Sequence, residues 1–251
     1  MLRSEWPEPH PIPPDGLPYC PTCQGMRRVY QEPRPGELTG KLAPCPACGA
    51  QVAQQRRARL FWDRQAIIQQ YTHLRGRAVQ QTFATFKARG VSPAVKKAYA
   101  AAIQFATRPQ GFLILAGDVG VGKSHLAAAI ANFQAAQDDP RLTLFFIVPD
   151  LLDMLRSGYG RGDYEALLTL TRDCDLLILD DLGTESQTDW ASEKLFTLIN
   201  HRYQAWLPTV VVTNCALEDL EPRLRSRLME RGFAQHVILS GDDYRLRGQS
   251  S

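Results

Sequence analysis

Eight consecutive residues, Gly117-Asp-Val-Gly-Val-Gly-Lys123-Ser124, have the types and spacing to hold a chain of phosphates. Gly117, Gly120 and Gly122 permit backbone angles and close approach that a Cβ would block. Successive amide N–H groups can therefore point at phosphate oxygens, helped by the N-terminus of the helix that follows. Val121 lies inside the run, Lys123 would reach the β and γ phosphates, and Ser124 would ligate Mg²⁺. His125 joins the nucleotide-binding set by its place in the next helical turn, although its imidazole, like that of His201, is read as structural. Further along, the apolar run Leu176-Leu-Ile-Leu179 ends in Asp180-Asp181. Two adjacent carboxylates repel unless a cation or a proton offsets them. Asp180 is expected to hold Mg²⁺ through water, and Asp181 to orient or deprotonate an attacking water. Asn214 follows the run Thr209–Thr213 and is either a turn residue or an uncharged amide that holds this water. Arg223, Arg225, Arg227 and Arg231 crowd one short stretch, and Arg245 and Arg247 come later. Because a cation on the developing γ-phosphate charge accelerates transfer by about 10³–10⁵, at least one of these is expected to serve there.

A second chemistry lies near the start. Cys20-Pro-Thr-Cys23 and Cys45-Pro-Ala-Cys48 are two C-x-x-C knuckles separated by 21 residues, close to the spacing of four-thiolate zinc sites. Four thiolates leave no open coordination position, so the metal would be structural. Redox pairs are the rival reading, but two matched knuckles do not suit a thioredoxin-type site. Cys174 and Cys215 sit singly in apolar surroundings, and the whole pattern argues for metal rather than disulfides.

These residues need elements to carry them. Short β-rich runs (112–116, 142–148, 176–179, 209–213 and 236–239) alternate with helical stretches such as 123–136 and 189–206. This alternation predicts an α/β fold, a parallel sheet sandwiched between helices, with the phosphate loop joining the first of these strands to its helix. Residues 7–18 carry six prolines and read as an extended arm. Between Gln51 and Ala78 the prolines vanish, and Leu60, Phe61, Ile67, Ile68, Tyr71 and Leu74 recur at helical spacing, which predicts an amphipathic connecting helix. The expected organisation is an arm and zinc module over 1–50, the connector over 51–78, and the nucleotide-binding domain over 79–251.

The net charge of +3 is too small for indiscriminate binding to nucleic acid. Positive charge is concentrated in the connector, where Arg56, Arg57, Arg59, Arg64, Arg75 and Arg77 face only Asp63. That helix fits a DNA-contacting face, a protein-binding face or a merely solvated surface. There is no long apolar run, so neither a membrane span nor a signal peptide is supported and a cytoplasmic location is expected.

The segment Leu113–Asn132, together with Leu176-Leu-Ile-Leu-Asp-Asp-Leu-Gly183, resembles the DnaC/DnaI and IstB branch of the AAA+ ATPases. Trp190, Leu195-Phe196, Ile199-Asn200, Arg202-Tyr203 and Pro208–Asn214 are similar to the stretch leading into that branch's sensor 1, and Thr82-Phe83 with Phe86 to its motif near the nucleotide base. The resemblance covers about residues 79–247. It implies ATP and Mg²⁺ as ligands, a three-layer AAA+ sandwich, Asn214 as sensor 1, Arg227 as an arginine finger acting on a neighbouring subunit, and Arg245 as sensor 2. It also implies a nucleotide-dependent homo-oligomer. Asp181 stands where many AAA+ proteins place a longer glutamate, implying slow hydrolysis, and the sequence ends too soon after Arg245 for a full helical lid. A zinc module ahead of this core resembles DnaI-type loaders, whose N-terminal module grips the replicative ring helicase. The leading expectation is a helicase loader that also contacts single-stranded DNA. The alternatives are an IstB-like regulator of DNA transposition, or an ATP-binding adaptor with negligible turnover.

Overall fold

A computed structural model describes residues 19–33, 39–52, 67–68, 70–86, 92–137, 141–159, 163–184 and 188–241. The proline-rich arm, most of the connector, Arg245 and Arg247 lie outside them. The chain divides into two compact units, Met1–Arg64 and Gln65–Ser251.

In the N-terminal unit, β1 (Arg28–Gln31) and β2 (Lys41–Pro44) form an antiparallel ribbon. The four cysteines are its buried centre, with Val29 and Val52 packed against them.

The larger unit contains α1 (Pro93–Thr107), β3 (Phe112–Gly117), α2 (Lys123–Ala135), β4 (Thr143–Ile147), α3 (Val148–Ser157) and α4 (Asp163–Asp173). After these come β5 (Leu176–Leu182), α5 (Asp189–Gln204), β6 (Thr209–Thr213), α6 (Pro222–Leu228) and β7 (Ala234–Leu239). The five strands form one parallel sheet in the order β4-β5-β6-β3-β7. Sheets covered on both faces read as continuous apolar runs, and Phe112, Leu113, Ile114 and Leu115 are all fully buried. Alternate side chains serve opposite faces: Phe112, Ile114, Leu177 and Val211 join the helices α3, α4 and α5, whereas Leu113, Leu115, Ile178 and Val212 join α1 and α2. The result is the expected three-layer sandwich.

Local chemistry fixes the helix starts. The Ser92 hydroxyl accepts from Val95 N before Pro93 opens α1, Thr188 accepts from Ala191 N at α5, and Glu221 accepts from Leu224 N before Pro222 at α6. Arg202 on α5 is fully buried, with the Asp173 and Asp175 charges near enough to favour its cationic form. Its guanidinium donates to the carbonyls of Thr171, Arg172, Cys174 and Pro208 and to Thr209 Oγ1, over 2.7–3.2 Å. It thus closes the carbonyl end of α4, where a cation is favoured.

The connector departs from expectation. Its described part is helical only to Tyr71; Thr72–Arg75 are irregular and Gly76–Gln80 form a 3-10 turn. Ile67, Ile68 and Tyr71 pack on the core of the larger unit, which begins at Gln65 rather than at residue 79. The physical cause is β4, an edge strand whose backbone needs partners. His73 N donates to Phe145 O at 2.7 Å, and Phe145 N donates to Thr72 Oγ1 at 3.2 Å. Those bonds pull the chain out of helical geometry. Among the described residues, no helix is long and apolar enough to cross a membrane.

Candidate functional site

The loop between β3 and α2 has the geometry its glycines allow. Gly117, Gly120 and Gly122 take φ values of 130°, 78° and 101°. A Cβ on Gly117 would overlap the Leu239 carbonyl, and one on Gly122 would lie 2.8 Å from the Phe86 ring. Lys123 is buried, and its ammonium donates to Gly117 O at 2.9 Å and Asp118 O at 2.5 Å, folding back over the loop.

Asp180 lies at the inner end, 6% exposed. The Ser124 hydroxyl donates to its Oδ1 at 3.0 Å, and Asp181 N donates to the same oxygen at 3.1 Å. Burial, and then the neighbouring Asp181 charge, push the Asp180 carboxyl up from 3.8 to about 6, against the opposing pull of Ser124, the Asp181 N–H and Lys123. A carboxylate held at that cost beside Ser124, Lys123 and a second carboxylate is suited to a cation. Asp181 adopts φ 59°, a left-handed conformation rare for side-chain-bearing residues. It sits where the β5–β6 register shifts between Leu179 and Leu182. Such a bulge re-aims a side chain, and here Asn214 Nδ2 donates to Asp181 Oδ1 at 3.1 Å. Thr184 secures the turn, its hydroxyl donating to Asp181 O at 2.7 Å.

Beside these groups is a cavity of about 570 Å³ lined by Gly120, Val121, Gly122, Lys123, Ser124, His125, Asp181 and Asn214, and on the other side by Arg77, Gln80, Gln81, Thr85 and Phe86. This volume suits a small organic ligand. The segment 78–86 is fastened to the loop helix, where Asn132 Nδ2 donates to Ala78 O and Gln81 O at 2.9 and 2.8 Å, and to α1, where Tyr99 OH donates to Phe83 O at 3.2 Å. His125 Nε2 lies 3.0 Å from Thr82 O, which can only accept, so the nitrogen carries the proton. Burial, more than any other cause, lowers the His125 pKa and favours neutral imidazole. His125 is therefore a brace in the cavity wall.

Gly117–Ser124, Asp180, Asp181 and Asn214 are thus brought together. Arg227 does not line this cavity. Its Nε donates to Asn200 Oδ1 at 2.9 Å, with the guanidinium 4.9 Å above the Tyr203 ring. Arg223 pairs with Glu221 and covers Phe196, and Arg225 donates to Glu218 O. Arg77 lines the cavity, which the arginine-rich connector alone did not indicate; its nearness to the Thr82–Phe86 segment is the one signal that could have found it.

The four cysteine sulfurs of the N-terminal unit lie within 4.8 Å of one another, all buried. Cys20 and Cys45 Sγ are 3.8 Å apart, and Cys23 and Cys48 Sγ 3.7 Å, so they are not disulfide-bonded. Tetrahedral thiolates at the usual zinc–sulfur length of about 2.3 Å would be about 3.8 Å apart. The donor set therefore fits zinc, and Arg27 N, donating to Cys23 Sγ at 3.3 Å, supplies the outer hydrogen bond such sulfurs take.

The family described as "IstB-like ATP binding protein" matches residues 60–251. The replicative helicase loader DnaC of Escherichia coli strain K12 is 29% identical over 139 residues, covering 53% of this chain and 56% of that protein. The replicative helicase loader DnaI of Bacillus subtilis strain 168 is 32% identical over 148 residues, covering 53% and 47%. The chain thus spans about half the length of these curated relatives. A crystal structure of the DnaC helicase loader superposes with a TM-score of 0.59 at 24% identity, covering 66% of this chain and all of that one, so the two share a fold.

Proposed function

The chain belongs to the IstB-like ATP binding protein family, and from that premise we propose that it is an ATP-dependent loader of a replicative ring helicase. The observation that carries the chemistry is the pairing of Ser124 with Asp180 and of Asn214 with Asp181 at one end of the glycine-loop cavity. In this reading the loop amides and Lys123 bind the triphosphate, while the segment bearing Phe86 and Arg77 faces the rest of the nucleotide. Ser124 and, through water, Asp180 hold Mg²⁺, which offsets phosphate charge when bound. Asp181, fixed by its bulge and by Asn214, orients the attacking water and accepts its proton. Its short side chain and the distance of Arg227 from the cavity favour slow turnover by an isolated chain. Arg227 acts on a neighbouring copy, and Arg245 serves as sensor 2.

The loader assignment rests on similarity to the two helicase loaders and on the cysteine cluster, whose zinc-held module would grip the helicase. For single-stranded DNA, the larger unit offers an aromatic face with cations. Tyr159 is half exposed, its ring 4.3 Å from that of Tyr164 and 6.5 Å from Trp190. Arg156 covers Trp190 at 4.9 Å, and Lys194 lies 5.9 Å from the Tyr164 ring. Stacking on such rings contributes about 1–3 kcal/mol per base without reading sequence.

The test is co-elution with the replicative helicase of the same cell in Mg·ATP, comparing wild type with a Cys20→Ser, Cys23→Ser variant. Association that needs the cysteines supports the loader. The IstB-like family description favours the second reading, a transposition regulator; no association with helicase, with nucleotide-dependent assembly on duplex DNA, would select it.

A further inference from the structure

The two walls of the glycine-loop cavity differ in build. Its phosphate side is one continuous strand, loop and helix from β3 to α2, whereas the opposite side is carried by the 3-10 turn Gly76–Gln80 and the residues after it. Short turns of this kind have poor hydrogen-bond geometry. Packing holds this one only lightly: Ala78 contributes a single methyl to the core, and Val79 is half exposed. Gly76 is required at its start by conformation alone, since its φ is 55° and a Cβ there would meet nothing within 4 Å.

What fastens the turn comes from α2. Asn132 lies a little over two helical turns beyond Ser124 and outside the cavity lining. The partners of its amide are carbonyls, Ala78 O and Gln81 O, which can only accept, so the nitrogen faces them and both of its protons are used. Ala78 O also accepts from Gln81 N at 3.2 Å, so Asn132 braces the bond that closes the turn. His125, seven residues earlier and on the same face of α2, holds Thr82 O. Beyond Thr82 the wall has its own anchor on α1, where Phe83 meets the Tyr99 ring edge-on and gives its carbonyl to the Tyr99 hydroxyl. Asn132 is thus the fastening of the part that bears Arg77, Gln80 and Gln81.

We propose that Asn132 is a positioning residue for the nucleoside: it sets the distance between that wall and the phosphate loop, and so governs how much the base and ribose add to the affinity of the triphosphate. The proposal rests on the reading of the cavity as an ATP site. One helix presents its N-terminus to the phosphates and its flank to the opposite wall, so both halves of the ligand are placed by a single rigid element.

Calorimetric titration of the full chain at neutral pH with Mg²⁺ and either ATP or inorganic triphosphate separates the two halves. Wild type is expected to bind ATP more tightly than triphosphate. Asn132→Leu, of similar size but without donors, should weaken ATP binding by about tenfold and leave triphosphate binding unchanged. Asn132→Asp, of the same shape but able only to accept, should do the same, and it serves as the test if leucine prevents folding. Triphosphate binding itself reports that the loop is intact. Unchanged ATP affinity in a variant that binds triphosphate would overturn the positioning role alone. So would equal loss of both ligands in both variants, which would make Asn132 a support of the fold. Wild type that gains nothing from the adenosine, or binds neither ligand, would overturn the nucleotide reading and the proposal with it.

Discussion

Asp180 and Ser124 stand on a strand and a helix whose apolar neighbours are fully buried, so the sheet would hold them in place with no ion bound. In the N-terminal unit the four thiols are themselves the buried centre, with Val29 and Val52 the only apolar side chains against them among the described residues. In the proposed reading a cation at the first site would be a reactant's companion; at the second it would replace a core that a module of this size cannot build from carbon. Similar cation chemistry would then have opposite structural consequences in the two units.

Removing the metal should give the largest effect. Structural zinc contributes about 10–16 kcal/mol in small finger peptides, so chelation or Cys20→Ser should unfold the N-terminal unit while the melting of the larger unit is preserved. Metal analysis with limited proteolysis would show this, and joint collapse of both units would break the distinction. The converse is Arg202→Met, which leaves the carbonyls closing α4 without their buried donor and should lower the stability of the larger unit by about 3–5 kcal/mol. Zinc content should not change.

A smaller effect comes from Asp180. Its carboxyl is raised from 3.8 to about 6, so between those values the folded chain keeps a proton that the unfolded chain releases. This group therefore lowers stability as pH rises through that window. Cation binding needs the carboxylate, so Mg²⁺-dependent nucleotide affinity should weaken as pH falls below about 6, by up to about tenfold per unit. Asp180→Asn should remove that dependence in binding titrations from pH 5 to 8. The smallest expected change is Thr188→Ala, which deletes the α5 cap and should lower thermal stability by about 1 kcal/mol.

The central strands were legible because they are buried on both faces: Thr209–Thr213 matches the expected run at both ends, and 112–116 extends only by Gly117. The glycine loop and its nearness to Asp180 were legible for a related reason, since a tight strand-to-helix turn with close backbone approach demands glycine at particular offsets. What escaped depends on contacts distant in sequence. The left-handed Asp181 follows from the register of β5 against β6, the early end of the connector helix from the unpaired edge of β4, and the cavity position of Arg77 from bonds made by Asn132. The burial of Arg202 has the same origin, since nothing in the local pattern of α5 distinguishes it from a solvated arginine.

The most direct test of the nucleotide site is equilibrium binding of ATP to wild type and Asp180→Asn, each with and without Mg²⁺. If Ser124 and Asp180 hold the cation, Mg²⁺ will tighten binding to wild type by about tenfold or more, and Asp180→Asn will lose that gain while keeping the Mg²⁺-free affinity. A variant that retains the full Mg²⁺ response would contradict the account.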